Sequence, residues 1–481
     1  MNEPESKAFR RAVLAAVAVI AVALAVPRLA HGLWLDETGT YWVVKDGLHD
    51  AFDRAIRYQG QSPLYYLVAW LALRVGGPHE SVLRLPSTLA VLGAIALLHR
   101  LARRIFDPET ALLSLVFFTA AIAAEAANAR PYALALLFIV AAMLSLVRFL
   151  ESGALRDGVL YALFAALTVY AHYLCGVMFL VHFFYALERR GAVSTARIAL
   201  AFGLAFLLLI PLAGQFATLF GRRATLVCSP PPTLLDLLEV LLPLWIPAGA
   251  LAGALIGARR ERVSLALPAN PALIGAVALW HALPIAVIWA LSTFTEVRLF
   301  LPRYFIASTP GLALLAAALV RSFEPARTRR LVALACGILA FTIGAQEVHI
   351  DLELVAEAAR AQLDGSTTPV FVQSGFVESM QLEWFRDPEK RSYLVAPLAR
   401  YPIGGDVVAL PQHFTEENVG FLASAVAAKL PGARKVVLFA PWPSDYPAWF
   451  EGRLAPEGFT RRDVGAEGRP AVMVFERSRE R

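Results

Sequence analysis

A chain of 481 residues that is 58% hydrophobic and 17% charged departs from the ordinary soluble domain, where roughly 45–50% of residues are apolar and about 25% charged. That balance excludes a single soluble enzyme domain and points to a multi-spanning membrane protein. The formal charge of +6 does not indicate a nucleic-acid partner, because the arginines cluster between apolar runs, as positive-inside topology requires, and not on one soluble module.

The first apolar run, Ala12 to Ala30, follows "KAFRR" and lacks a small-x-small cleavage site, so it reads as a retained first span with the amino terminus in the cytoplasm. Five further basic stretches, at 99–106, 148–157, 187–192, 257–263 and 324–330, are placed on the same side. The remaining loops then fall outside: 31–82, near 125–131, near 171–176, 214–236, 292–303 and everything after about 347. Each apolar run approaches the ~20 residues needed to cross a ~30 Å hydrocarbon core, and about eleven spans result. The stretch "PLYYLVAWLALRVGG", 63–77, would reverse the next basic loop if it crossed, so it is laid in the outer interface, where Trp70 and two tyrosines suit the depth and Arg74 can snorkel.

Beyond "FTIGAQEVHI" the pattern changes. Short β-rich runs, "PVFVQSGF", "GDVVALP", "KVVLFAPW" and "AVMVFER", alternate with helical stretches such as "ENVGFLASAVAAKL", which predicts a soluble extracytoplasmic α/β domain over 347–481. It carries no GxGxxG or P-loop signature and is assigned no nucleotide site. The membrane domain is accordingly 1–346, with 31–82 as its first outer loop. Of three cysteines, Cys175 and Cys336 lie in apolar runs and Cys228 stands alone in a loop, so no disulfide framework is implied.

The residues able to carry chemistry gather on the outer side. Asp36 and Glu37, in "HGLWLDETGTYW", begin the first outer loop directly after span one. An acidic pair there can open a helix, where the N-terminal dipole favours negative charge by about 0.3–1 kcal/mol, and it can also supply a general base; both readings stand. Glu125 and Arg130, His172, Arg222 and Arg223, and Arg298 and Arg303 sit at the same face, either as snorkelling anchors or as the wall of one cavity. His172, among aromatics at a helix end, reads as a packing residue or a ligand contact. No HxxxH or HExxH spacing occurs, so no catalytic metal is predicted; a divalent cation held by Asp36 or Glu37 together with a lipid phosphate is the metal chemistry left open.

In order, "LDETGTYW", "QSPLYYL", "VLRLPS", "ARPYALALLF", "AHYL" and "LPRYFIASTPGLALL" resemble membrane glycosyltransferases of the GT-C class, in the branch of protein O-mannosyltransferases and lipid A aminoarabinose transferases. The resemblance runs over roughly residues 10–320. It implies a polytopic α-helical fold, a polyprenyl-phosphate sugar donor used on the extracytoplasmic face of a bacterial inner membrane, and a lipid, polysaccharide or protein acceptor. The first-loop acid of the family falls on Asp36, as base, and the second acidic position on Glu37. Where the family carries a proline pair, this chain has Pro63 alone, which weakens inference about the acceptor. Arg130 and Arg303, with Arg84 as a third, are the expected holders of the donor phosphate, and Tyr132, His172, Arg298 and Tyr304 are expected to line the cavity. The loop from Gly214 through the "SPPPT" run is expected to act as a lid. A transporter or lipid flippase is the alternative reading, although its coupling groups would be expected near mid-membrane.

Overall fold

The computed structural model describes residues 3–189, 191, 193–221, 229–266, 270–346, 349–466 and 469–477. Arg222, Arg223 and Cys228, with the basic part of the expected lid, lie outside the described residues. In chain order the helices are α1 (Glu3–Leu29), α2 (Leu35–Val44), α3 (Leu48–Arg57), α4 (Leu64–Gly76), α5 (Glu80–Ile105), α6 (Pro108–Ile122) and α7 (Tyr132–Ser152). There follow α8 (Leu155–Ala171), α9 (Met178–Arg189), α10 (Thr195–Leu209), α11 (Ala213–Gly221), α12 (Leu234–Leu241), α13 (Trp245–Ala258), α14 (Pro271–Phe294), α15 (Thr309–Arg321) and α16 (Ala326–Ala345). The chain closes with α17 (Leu352–Arg360), α18 (Pro388–Leu394), α19 (Pro397–Arg400), α20 (Val419–Ala427) and α21 (Tyr446–Leu454). A two-residue pair, β1 (Ser264–Leu265) with β2 (Phe323–Glu324), precedes the strands β3 (Pro369–Gln373), β4 (Asp406–Leu410), β5 (Lys435–Phe439), β6 (Phe459–Ala466) and β7 (Arg469–Arg477).

The chain divides into two compact units, one of residues 1–30 and 51–348, the other of residues 31–50 and 349–481. The second unit is thus discontinuous: α2, which the sequence leaves with the membrane domain, clusters with the carboxy-terminal residues.

The larger unit is helical throughout apart from the β1–β2 pair. Among the described residues eight helices are long and apolar enough to cross a membrane, or up to nine if the pair α12 and α13, bent by 45°, is counted as one span. The sequence reading of about eleven also includes α8 and α9, which are 17 and 12 residues long. α4 has 13 residues and so reaches only about 20 Å at 1.5 Å per residue, too short to cross unaided. Helix ends follow capping chemistry: Asp107 accepts from the N–H groups of Glu109 and Thr110 at the start of α6, and α7 stops where Gly153 takes φ +64°.

The core of this unit lies among α5 to α8, where Phe118, Leu136, Ile139 and Tyr161 are fully buried. α13 meets α16 through Gly249, Gly253 and Gly257, one residue per turn of a single stripe. A Cβ on Gly253 would stand 2.4 Å from the Val332 Cα, so only glycine allows the two backbones this close. Arg329 of α16 joins Glu109 of α6 at 2.9 Å and Glu324 at 3.0 Å.

The smaller unit is a five-stranded sheet in the order β4-β3-β5-β7-β6. β3 pairs in parallel with both β4 and β5, and β7 pairs antiparallel with β5 and β6. Parallel central strands are covered on both faces and read as unbroken apolar runs, hence "PVFVQ" and "KVVLF". Phe371, Leu438, Phe450 and Phe475 fill the core beneath α20 and α21.

Candidate active site

The acidic pair occupies the first turn of α2. Glu37 is fully buried and its Oε2 accepts the Trp34 N–H at 3.3 Å, the backward reach by which an N3 glutamate caps a helix. Asp36, one residue earlier, is half-buried and projects about 100° away around the helix. The helix-opening reading of the pair therefore holds for Glu37. The Thr38 and Thr40 hydroxyls donate back to the Leu35 and Asp36 carbonyls at 2.6 and 3.2 Å, so both are satisfied within the turn that carries Asp36.

The cationic residues belong to the helical unit. Arg130 stands in the break between α6 and α7, where Pro131 sets the helix start. Its Nη1 donates to Gln59 Oε1 at 2.9 Å, and the same oxygen accepts from the Tyr66 hydroxyl at 3.3 Å. Ser87 is 2.9 Å from the Tyr65 hydroxyl and donates to the Arg130 carbonyl at 3.3 Å. Three separate motifs, "QSPLYYL", "VLRLPS" and "ARPYAL", thus meet in one hydrogen-bonded network around Arg130.

From that arginine runs a chain of rings. Its guanidinium carbon lies 6.0 Å from the Tyr132 ring centroid, Tyr132 is 5.3 Å from His172, His172 is 5.9 Å from Tyr304, and the Arg303 guanidinium is 5.8 Å from Tyr304. Two arginines are therefore linked through three rings contributed by "RPY", "AHY" and "PRYF". Cation–π contacts of this kind orient a guanidinium plane beside a ring. His172 is buried at the break after α8, and burial first, with the Arg130 charge second, pushes its imidazole down to about 3. The ring is consequently neutral at any physiological pH.

An apolar hollow of about 430 Å³ is lined by Val169, Tyr173, Phe179, Phe206, Leu209 and Phe216, and Tyr173 follows His172 directly in the chain.

Two other expected site residues serve helix ends. Arg84 is buried in α5, and its Nη1 donates to the Arg28 carbonyl at 3.1 Å and the Leu29 carbonyl at 3.4 Å, closing the end of α1. Arg298 donates to the Ser292 and Thr295 carbonyls at the end of α14 and stands outside the ring chain. Glu125 accepts from the Asn128 amide at 2.9 Å. Sequence reasoning missed Gln59, whose only signal is that it precedes "QSPLYY", and gave Tyr65, Tyr66 and Ser87 no role at the site.

Among the described residues no group of three or more His, Cys, Asp or Glu side chains converges as a metal ligand set. Asp36 and Glu37 supply two carboxylates on one turn, and Glu37 already accepts a backbone bond. By themselves they make an incomplete cation site.

Residues 60–214 match the family model described as dolichyl-phosphate-mannose-protein mannosyltransferase. No curated protein sequence matches the chain significantly. Among solved structures, ArnT from Cupriavidus metallidurans in the apo state superposes with a TM-score of 0.53 at 14% identity over 98% of each chain. The same protein bound to undecaprenyl phosphate gives 0.50 at 14% identity over 96% of this chain and 97% of that one. The chain has the GT-C type fold, a helical part with apolar candidate spans followed by a strand-containing domain.

Proposed function

We propose that this protein transfers a sugar from a polyprenyl-phosphate donor to an envelope acceptor on the extracytoplasmic face, with inversion at the anomeric carbon. The observation that carries the reading is the Arg130–Tyr132–His172–Tyr304–Arg303 chain, which links two guanidinium groups, in a helical unit that also holds an apolar hollow lined by Tyr173. Such a pairing of cations with an apolar wall suits a lipid whose head is a phosphate and whose tail is a hydrocarbon. The fold adds support, since ArnT, which shares it, has been captured with undecaprenyl phosphate.

In this reading Asp36 accepts the proton of the acceptor hydroxyl. The acceptor oxygen bonds to C1 of the sugar, the C1–O bond to phosphate breaks, and both electrons of that bond leave with the polyprenyl phosphate. A phosphate leaving group is already anionic and needs positive charge in place of a general acid; Arg130 and Arg303 supply it, because guanidinium groups hold phosphate oxygens through paired N–H donors. Glu37 keeps the first turn of α2 formed. Arg84, placed with the donor phosphate by sequence, here closes the end of α1, which leads into residues 31–50.

Asp36→Asn removes the base and leaves the helix intact, and loss of a general base costs about 10²–10⁴ in rate. Mass spectrometry of extracted polyprenyl-phosphate sugars tests this in a deletion strain complemented by wild-type or Asp36→Asn protein at equal expression. One lipid-linked sugar should accumulate in the deletion and Asp36→Asn strains alone, which also names the donor. Unchanged lipids in every strain would refute the transferase.

A further inference from the structure

Open α/β sheets take their ligands in the crevice beyond the carboxyl ends of the parallel strands, at the point where strand order reverses. In the smaller unit β4 and β5 flank β3, which puts that point between β3 and β5. The residues leaving the two strands there are Ser374 and Gly375, after β3, and Ala440 to Trp442, after β5. Gln373, the last residue of β3, ties its loop to those after β4 and β5: its amide nitrogen donates to the Gln412 carbonyl at 2.8 Å, and its Oε1 accepts from Ser444 Oγ at 3.4 Å.

What stands in this crevice is a residue of the chain itself. A Cβ on Gly375 would lie 2.5 Å from Leu35 Cδ2 and 2.9 Å from Trp442 Cζ2, so glycine makes the space that Leu35 fills. Leu35 is the first residue of α2 and the neighbour of Asp36. The approach to it is pinned as well. Gly32 N–H donates to Asp351 Oδ2 at 2.8 Å, Leu33 N–H donates to the Tyr401 hydroxyl at 2.7 Å, and Trp34 stacks on His349 at 4.0 Å. The far end of α2 is clamped in turn: Trp42 Nε1 donates to Ser392 Oγ at 3.0 Å, and the Arg400 guanidinium lies 5.5 Å from the Tyr41 ring. At about 100° per residue, Leu35, Tyr41 and Trp42 fall within one arc of roughly 120°, and Asp36 lies about 100° beyond Leu35, outside it.

We propose that the carboxy-terminal α/β unit is the positioning device of the acidic helix: its strand-end crevice seats Leu35, and the contacts to α18 and α19 fix the helix rotation that presents Asp36. The proposal rests on Asp36 being the base. Gly375, Tyr401 and Ser392 act through α2, and are positioning residues.

The test is a volume exchange in the full-length protein. Gly375→Val overfills the crevice and Leu35→Ala empties it, while the double variant refills it. Each single variant should slow transfer, by about 10²-fold for Gly375→Val, as misplacing a reacting group by about 1 Å does. Transfer is read as accumulation of the lipid-linked sugar in the complemented strain. Backbone amides over residues 32–44 should exchange faster in each single variant, while the purified protein keeps its melting temperature and its affinity for undecaprenyl phosphate. The double variant should recover transfer and protection together. A structural fault would instead lower the melting temperature and lipid binding in step with activity, and would overturn the proposal. If Gly375→Val fails to fold, Leu35→Ala and the double variant give the same decision. Wild-type transfer in the single variants with Asp36→Asn inactive would overturn the positioning role alone. Transfer surviving in Asp36→Asn would overturn the base assignment and, with it, this proposal.

Discussion

One step along α2 separates Glu37, which caps the helix, from Asp36, which projects about 100° around it. Glu37 is committed to the Trp34 N–H, so Glu37→Gln, which can still accept that bond, should lower transfer far less than Asp36→Asn; the lipid-linked sugar pools report both. For the arginines the expected loss is in binding. Arg303→Ala removes a charge-assisted contact of about 1.5–3 kcal/mol and should weaken undecaprenyl phosphate binding by about 10- to 10²-fold. At Arg130, lysine should rescue little, because a point charge cannot both meet Gln59 and lie beside the Tyr132 ring. His172 gives a pH test. Its folded value of about 3 lies below the ordinary histidine value, so the unfolded chain binds more protons between those two values; the stabilisation is complete above pH about 6.5 and is lost as pH falls towards 3. His172→Phe keeps a ring between Tyr132 and Tyr304 and should flatten the fall of melting temperature on the acid side. Much of the ring chain was legible because the "RPY", "AHY" and "PRYF" motifs each pair an aromatic with a basic group. Arg84 and Arg298 meet the carbonyls of helix ends, partners that sequence does not name when it places an arginine at a membrane face.

Between elements, the glycine stripe of α13 makes a sharp contrast with lone glycines elsewhere. Gly253→Leu drives a side chain into the α16 backbone and should cost about 1–3 kcal/mol or more, seen as a lower melting temperature. Gly203→Ala in α10, with nothing within 4 Å of the added Cβ, should be neutral or stabilising by up to about 1 kcal/mol. Strand legibility divides in the same physical way. β3, β5 and β7 were visible as apolar runs, because a strand covered by neighbours and helices writes its burial into its composition, and β4, at one edge of the sheet, was visible because "DVVAL" is apolar although Val407 is exposed. β6 was not, because this edge strand, "FTRRDVGA", carries Arg461, Arg462 and Asp463 and resembles a charged loop. The exact number of spans was less legible than their existence, since helices such as α8 and α9 are too short for a length criterion and are fixed only by their packing.

At the scale of the molecule, the division of the chain is what sequence concealed. A composition change near residue 347 is easy to see, whereas the assignment of 31–50 to the same unit depends on bonds such as Gly32 to Asp351, far apart in the chain. Deleting 349–481 should therefore abolish transfer as fully as Asp36→Asn while undecaprenyl phosphate still binds residues 1–348. Retained transfer in the truncated protein would argue that α2 orders itself. A unit assembled from two distant segments also has a schedule. Residues 31–50 leave the ribosome early, and residues 51–348 must follow before their partner strands exist, an interval on the order of 15–60 s at about 5–20 residues per second. Until β3 and β5 have been made and paired, the crevice that seats Leu35 does not exist. On the proposed reading, a nascent or carboxy-terminally clipped chain would bind the lipid before it could turn it over, so that biogenesis itself would act as a safety catch on the reaction.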